Sequence, residues 1–266
     1  MIKAAFFDID GTLLDHAGGK SIFHESSERA LYALQRRGVK VFVSTGRGPA
    51  ILGDVRDMFP FDGFVTFNGQ LVLERDGTVL RRAGLSEEDV LTLVERVRQA
   101  GWPGMVLGEV KSWPLLDTPE VRRHYDWAGE PFPGLYDAGT LGEYPIIQAT
   151  LYKDAEEAGG LLGDLKEAVV VACGPGMVDI VPKDGGKDRG LRAVAEHYGF
   201  AREETAAFGD GMNDLAMVAW AGTGVAMGNG EPELKAAADY VTAGVSEDGV
   251  ARALVHLGMI SEDDLK

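Results

Sequence analysis

The sequence predicts an α/β protein built on a parallel sheet, with a smaller α+β region inserted into it. Two observations carry this prediction. Apolar runs of strand length alternate with helical stretches over residues 1–83, and again over residues 183–266. Between them, residues 84–182 mix helices with short paired strands. Alternating strands and helices are typical of a parallel sheet covered on both faces. We therefore expect a Rossmann-like core of three α/β/α layers and an inserted smaller α+β domain.

The individual elements follow from periodicity and from helix-ending residues. Residues 39–43 are almost entirely apolar, as expected of a buried parallel strand. Apolar residues at helical spacing predict a helix over 25–37, which Gly38 ends. The same reasoning predicts helices over 49–58 in the core and over 155–167 in the insert.

Composition limits the partners that the protein can have. Apolar residues make up 45% and charged residues 26% of the 266 residues, which is ordinary for a soluble domain. The net charge of −16 argues against nucleic acid or an anionic membrane as a main partner, but not against a small anionic substrate. No apolar run is long enough to span a bilayer. The chain opens directly on an acidic motif rather than a leader sequence, so we expect a cytoplasmic protein.

The chain has one cysteine, Cys173. A single cysteine forms no internal disulfide, which agrees with a reducing compartment. Its neighbours Val169 to Ala172 are apolar. This context predicts a buried, structural thiol.

Two carboxylates follow the first strand. Asp8 and Asp10 lie two residues apart, so in an extended chain they face the same side. Gly11 then allows a sharp turn. Two carboxylates this close repel each other unless they share a proton or bind a cation.

Further polar groups follow other predicted strands or stand at the start of predicted helices. In parallel α/β sheets, ligands bind just beyond the carboxyl ends of the strands. Carboxylates are hard oxygen ligands that suit Mg²⁺, whereas hydroxyl groups, open backbone N–H groups and ammonium groups hold phosphate. Together they form a set for phosphoryl transfer. Lys183 is a rival for the lysine position. The groups are Asp8, Asp10 and Asp210 as carboxylates, Thr45 and Gly46 after the second strand, Lys187 after the insert, and Asn213 and Asp214 after Asp210.

The chain resembles the haloacid dehalogenase-like phosphatase superfamily, in its Cof-type subgroup with an α/β cap. Four motifs stand in the family's order: D-I-D-G-T at Asp8, S-T-G-R at Ser44, Lys187, and G-D-G-M-N-D at Gly209. The pairs Asn68-Gly69 and Asp179-Ile180 and the triplet at residues 228–230 add to the resemblance, which covers essentially the whole chain.

The resemblance implies a role for each motif residue. Asp8 would be the nucleophile that forms an aspartyl-phosphate, and Asp10 the general acid and base. Mg²⁺ would be held by Asp8, the Asp10 carbonyl and Asp210, with Asp214 supporting it through water. The groups implied to hold the phosphoryl oxygens are Thr45, Gly46, Lys187 and Asn213. The residues implied to contact the substrate are Arg47 and Asn68.

The resemblance therefore implies a Mg²⁺-dependent phosphatase of small phosphorylated metabolites, sugar phosphates first, whose cap sets specificity. Two alternatives stay open. A phosphomutase or phosphotransferase shares the motifs, and a catalytically silent phospholigand-binding protein could retain them. The histidines show no metal-ligand spacing, and we assign them no role. The sequence leaves the oligomeric state undetermined.

Overall fold

A computed structural model describes residues 1–109 and 111–266 of the chain. The described residues separate into two compact units. The core unit comprises Met1–Arg47, Leu52–Arg81 and Gly186–Lys266, and the insert unit comprises Gly48–Ile51 and Arg82–Gly185. Among the described helices, none has the length and apolar character needed to cross a membrane.

The described strands and helices alternate along most of the chain. The strands are β1 (Ala4–Phe7), β2 (Leu14–Asp15), β3 (Ile22–Phe23), β4 (Lys40–Ser44), β5 (Gly63–Thr66), β6 (Leu71–Glu74), β7 (Val79–Arg82), β8 (Gly104–Gly108), β9 (Ser112–Pro114), β10 (Ile146–Leu151), β11 (Ala168–Gly174), β12 (Met177–Pro182), β13 (Thr205–Gly209), β14 (Thr223–Ala226) and β15 (Tyr240–Val241). The α-helices are α1 (Glu25–Arg36), α2 (Val55–Met58), α3 (Glu87–Ala100), α4 (Pro119–Ala128), α5 (Ala155–Leu162), α6 (Lys187–Tyr198), α7 (Leu215–Trp220), α8 (Pro232–Ala237) and α9 (Gly249–His256).

The core unit is organised around β1. The sheet order is β15-β14-β13-β1-β4-β5-β6-β7, and the six strands from β15 to β5 run parallel. Phe7 at the end of β1 stands opposite Val43 on one side and Phe208 on the other. β6 then turns back antiparallel to β5. The predicted parallel core is confirmed.

Helices cover both faces of this sheet. Phe7 packs in one apolar cluster with Leu31 of α1 and residues of α9. Its neighbour Phe6 points to the opposite face and packs with Leu191 of α6 and residues of α7. Because successive strand residues alternate between faces, a strand covered on both sides must be apolar throughout. The three-layer α/β/α arrangement follows.

The insert unit is built on an antiparallel sheet in the order β11-β12-β10-β8-β9. Val106 of β8 packs with Val90 of α3 and Leu162 of α5 on one face. The adjacent Met105 packs with Tyr125 of α4 on the other. The unit therefore has apolar clusters of its own on both faces of the sheet.

Three local predictions were wrong. The helix expected over 49–58 is a 3₁₀ turn followed by the short α2, because Gly53 between them takes a left-handed φ of 52°. The helix expected to reach residue 167 ends at Leu162. Cys173 is exposed rather than buried. It lies on β11, an edge strand, where apolar neighbours such as Val171 are exposed as well.

The close approach of α6 to the sheet gives a stability prediction. A methyl group at Gly190 would overlap the Val65 side chain. Gly190→Ala should therefore lower the free energy of unfolding by about 1–3 kcal/mol, measured by urea denaturation, although alanine favours helix. Gly160→Ala is the matched control, since that helical glycine of α5 faces open space. It should be neutral or stabilising by up to about 1 kcal/mol.

Candidate active site

The first strand delivers Asp8 to the carboxyl edge of the core sheet. The Asp8 N–H donates to the Phe208 carbonyl at 2.9 Å, so this residue continues the pairing of β1 with β13. Gly11 then turns the chain with a φ of 87°. A side chain at Gly11 would overlap the Asp210 carboxylate. The glycine is therefore needed both for the turn and for the approach of Asp210 to it.

Lys187 bridges two of the carboxylates. It is the first residue of α6, and its Nζ lies 2.6 Å from Asp8 Oδ1 and 2.5 Å from Asp214 Oδ1. Its side chain has no exposed surface. The rival Lys183 instead donates to the carbonyls of Leu165 and Lys166 within the insert unit. Lys187 is thus the ammonium that contacts Asp8.

The loop after β13 orients Asp210 and Asp214. Asp214 Oδ2 accepts the N–H groups of Asp210 and Gly211, both at 3.0 Å, so both Asp214 oxygens are engaged. The Asp210 carboxylate accepts from Thr12 Oγ1 at 3.2 Å and from Asn229 Nδ2 at 3.4 Å. Asn229, in the loop after β14, also donates to the Gly11 carbonyl at 2.9 Å.

The buried carboxylates outnumber the positively charged groups that contact them. Burial raises the pKa of Asp8, against the opposing effect of the Lys187 ammonium. Burial and the neighbouring Asp214 raise the pKa of Asp210 to about 6. Burial by itself lowers the pKa of Lys187, but its two carboxylate partners raise it overall, so this group stays charged. Three carboxylates facing one ammonium leave a site that favours a cation.

The donor set fits a hard divalent cation. Carboxylate oxygens of Asp8, Asp210 and Asp214 lie within 4.8 Å of one another. Within the described part of the chain, nothing donates a hydrogen bond to Asp8 Oδ2, whereas both Asp214 oxygens are occupied. Asp8 therefore keeps an oxygen free of described donors, whereas the Asp214 carboxylate is already engaged by Lys187 and by two backbone N–H groups. All-oxygen ligands are typical of Mg²⁺ sites.

Polar residues that follow β4 and β5 lie at the same edge of the core sheet and contact one another. Asn68 Oδ1 accepts from Asn213 Nδ2 at 3.1 Å, and Gly46 lies against the Asn68 amide. The buried Thr45 hydroxyl accepts the Arg47 N–H at 3.1 Å. Asn68 also has a left-handed φ of 51°, an uncommon conformation outside glycine that often occurs at functional sites.

Asp10 is held by a separate pair of side chains. Arg47 Nε donates to Asp10 Oδ2 at 3.0 Å, and its Nη2 bonds Oδ1. His16 Nε2 lies 2.6 Å from the same Oδ1. The sequence placed Arg47 near the substrate and gave the histidines no role. A spacing of six residues across an irregular loop offered no signal that His16 would reach Asp10.

Comparison with known proteins shows the family to which the chain belongs. The family model for haloacid dehalogenase-like hydrolases matches residues 5–254. The Bacillus subtilis (strain 168) protein YkrA, provisionally named a phosphatase, is 34% identical over 259 residues, which are 97% of this chain and 98% of YkrA. Two solved structures are also similar.

The structure of BT1666 from Bacteroides thetaiotaomicron, described among phosphatases of the superfamily, has a TM-score of 0.87 at 30% identity and covers 98% of this chain and 96% of its own. The subclass IIB sugar phosphatase BT4131 has a TM-score of 0.84 at 32% identity, with 97% and 100% coverage. The chain belongs to the haloacid dehalogenase-like hydrolases and is a phosphatase of that superfamily, as the motifs predicted.

The double engagement of Asp214 predicts a structural cost for its replacement. In Asp214→Asn, one carboxylate oxygen becomes an NH₂ group that must face either the Lys187 ammonium or two backbone donors. We expect a loss of about 2–4 kcal/mol in the free energy of unfolding, measured in urea. The exposed Asp263→Asn is the control and should change stability by less than about 0.5 kcal/mol. Equal stability of the two variants would contradict this assignment.

Proposed function

We propose that the protein is a Mg²⁺-dependent phosphatase that hydrolyses phosphate monoesters of small metabolites through an aspartyl-phosphate at Asp8. One observation carries the proposal: Asp8 is buried, one of its oxygens bonds a buried ammonium, and the other accepts no hydrogen bond from the described residues. A carboxylate in that setting has one oxygen fixed and the other available for attack. The phosphatase relatives support the reaction class.

The first half-reaction transfers the phosphoryl group to the enzyme. A carboxylate oxygen of Asp8 forms a bond to phosphorus, and the bond from phosphorus to the leaving oxygen breaks. Asp10, in its protonated form, gives its proton to that oxygen. Lys187 neutralises charge at Asp8, and Thr45, Gly46 and Asn213 would hold the remaining phosphoryl oxygens.

The second half-reaction releases phosphate. Asp10, now ionised, takes a proton from water, and the resulting oxygen attacks phosphorus. The bond between phosphorus and the Asp8 oxygen breaks, which regenerates the Asp8 carboxylate and frees inorganic phosphate. The same side chain thus serves as acid in one step and as base in the next.

Asp8, Asp210 and the Asp10 carbonyl would hold Mg²⁺, with Asp214 supporting them through water. When bound, Mg²⁺ supplies positive charge that offsets carboxylate repulsion and polarises the phosphoryl group. The chain's own contribution is to fix Asp210 through Thr12 and Asn229 before the metal arrives.

The substrate is proposed to be a sugar phosphate or a similar small metabolite, with residues 84–182 acting as the cap domain that selects it. The support is the similarity to BT4131, which is named a sugar phosphatase. Phosphate release from a panel of phosphorylated metabolites tests this proposal. Release without any sugar acceptor favours a hydrolase over a phosphomutase. Binding without turnover across the panel would favour a silent ligand-binding protein.

The nucleophile gives the next prediction. Asp8→Asn should lower kcat for an aryl phosphate by at least about a thousandfold, because the amide is a poor nucleophile. Phosphate release in the presence of Mg²⁺ is the measurement, with circular dichroism to establish that the variant is folded. EDTA should stop the wild-type reaction. Full activity of Asp8→Asn would exclude the aspartyl-phosphate mechanism.

Proton competition at the carboxylates predicts how metal binding depends on pH. Folded protein holds a proton on Asp210 up to about pH 6, whereas an unperturbed aspartate releases it near 3.8. The contribution of Asp210 to the stability of the metal-free protein should therefore fall as pH rises from 3.8 to about 6. The rise in Tm caused by Mg²⁺ should be larger at about pH 8 than at about pH 6, because fewer protons compete. Asp210→Asn should abolish most of the rise. An equal rise at both pH values would contradict the proposed ligands.

A further inference from the structure

We infer that His16 is a positioning residue for the Asp10 carboxylate, so that it acts on the reaction through Asp10 without contacting the substrate. The inference rests on the proposed function, in which Asp10 is the acid and base. His16 lies outside the four motifs, and its place in the chain gives no reason to group it with them. Its position comes from the folding of the short ribbon that follows the first motif.

The Asp10 side chain needs external support. Its side chain is 43% exposed, whereas the Asp8 side chain is 9% exposed and is fixed by the buried Lys187. A half-exposed carboxylate keeps rotational freedom about its side-chain torsions unless hydrogen bonds restrict it. Side-chain donors reach Asp10 from two elements: Arg47 after β4, and His16 after β2.

The two donors restrict different motions. The Arg47 fork spans both carboxylate oxygens, so the carboxylate and the guanidinium can still swing together. His16 Nε2 meets Oδ1 at 2.6 Å from a different element, which fixes the remaining direction. Proton transfer depends on this geometry, because a misplacement of about 1 Å can cost about a hundredfold in rate.

The ribbon also holds His16. Asp15 of β2 pairs with Ile22 of β3, which brings the adjacent residues His16 and Ser21 together at its tip. Ser21 Oγ lies 3.1 Å from His16 Nδ1. When the hydroxyl donates to Nδ1, the proton of the neutral ring resides on Nε2, the atom that faces Asp10. Ser21 is therefore compatible with the tautomer that donates to Asp10, which an ionised carboxylate requires because it can only accept.

The test compares leaving groups at saturating Mg²⁺. Protonation by Asp10 matters for an alkyl phosphate, whose alkoxide leaves poorly, and little for p-nitrophenyl phosphate, whose phenolate leaves readily. His16→Leu should lower kcat/KM for glycerol 2-phosphate by about tenfold and change that for p-nitrophenyl phosphate by less than about twofold. His16→Gln, which keeps an amide donor, should recover most of the loss.

The controls separate positioning from folding. His24→Leu alters a partly buried histidine of the same segment that contacts Asp15, and it should match the wild type on both substrates. Asp10→Asn should show the same leaving-group dependence as His16→Leu, but larger. The rise in Tm caused by Mg²⁺ should be unchanged in His16→Leu.

The possible results are distinguishable. Equal losses on both substrates in His16→Leu, or no loss on either, would overturn the inference while the wild type and Asp10→Asn still support the proposed function. Wild-type protein that releases phosphate from neither substrate in Mg²⁺ would overturn the proposed function, and the positioning role with it.

Discussion

The core unit depends on burying one ammonium group between two carboxylates. A lysine without exposed surface is costly by several kcal/mol unless charge partners surround it. Lys187 meets Asp8 from the end of β1 and Asp214 from the loop after β13. These segments cannot shift independently without breaking a buried pair. Since carboxylates still outnumber the ammonium, the arrangement that fixes the fold at this edge also leaves an acidic cluster that could hold a cation.

Sheet topology explains why such distant residues meet. From β1 the chain builds outward through β4 and β5 on one side, and after the insert through β13, β14 and β15 on the other. In open α/β sheets, ligands bind where the strand order reverses, beyond the carboxyl ends of the strands. Asp8, Arg47 and Asp210 all follow strands that end there. The order of the strands therefore brings these residues to one edge of the sheet, and side-chain contacts set their orientations.

The support around the site is divided between two kinds of contact. Asp8 is fixed by burial and by Lys187, whereas Asp10 is half-exposed and is fixed by hydrogen bonds from Arg47 and His16. The difference suits their proposed roles. A nucleophile needs one orientation in a dry setting, and an acid that later becomes a base needs contact with the leaving group and with water. Asn229 serves similarly for Asp210, from yet another strand end.

By itself the sequence determined the parallel core, the positions of the strand ends and the residue types found there. Strand period and motif order are properties of the sequence, so they can be recognised without the tertiary structure. The sequence did not reveal that His16 joins the site or which groups Asn229 contacts, since these contacts depend on how loops of irregular length close. It also misjudged Cys173, because an apolar run looks alike in a central strand and in an edge strand. Which oxygen of each aspartate is already engaged was decided by tertiary structure alone: Lys187, Thr12 and two backbone N–H groups reach those oxygens from segments far apart in the chain. The opening pair of aspartates, and the separate roles that the resemblance implies for them, were readable in advance, whereas the contacts that orient each side chain required the fold.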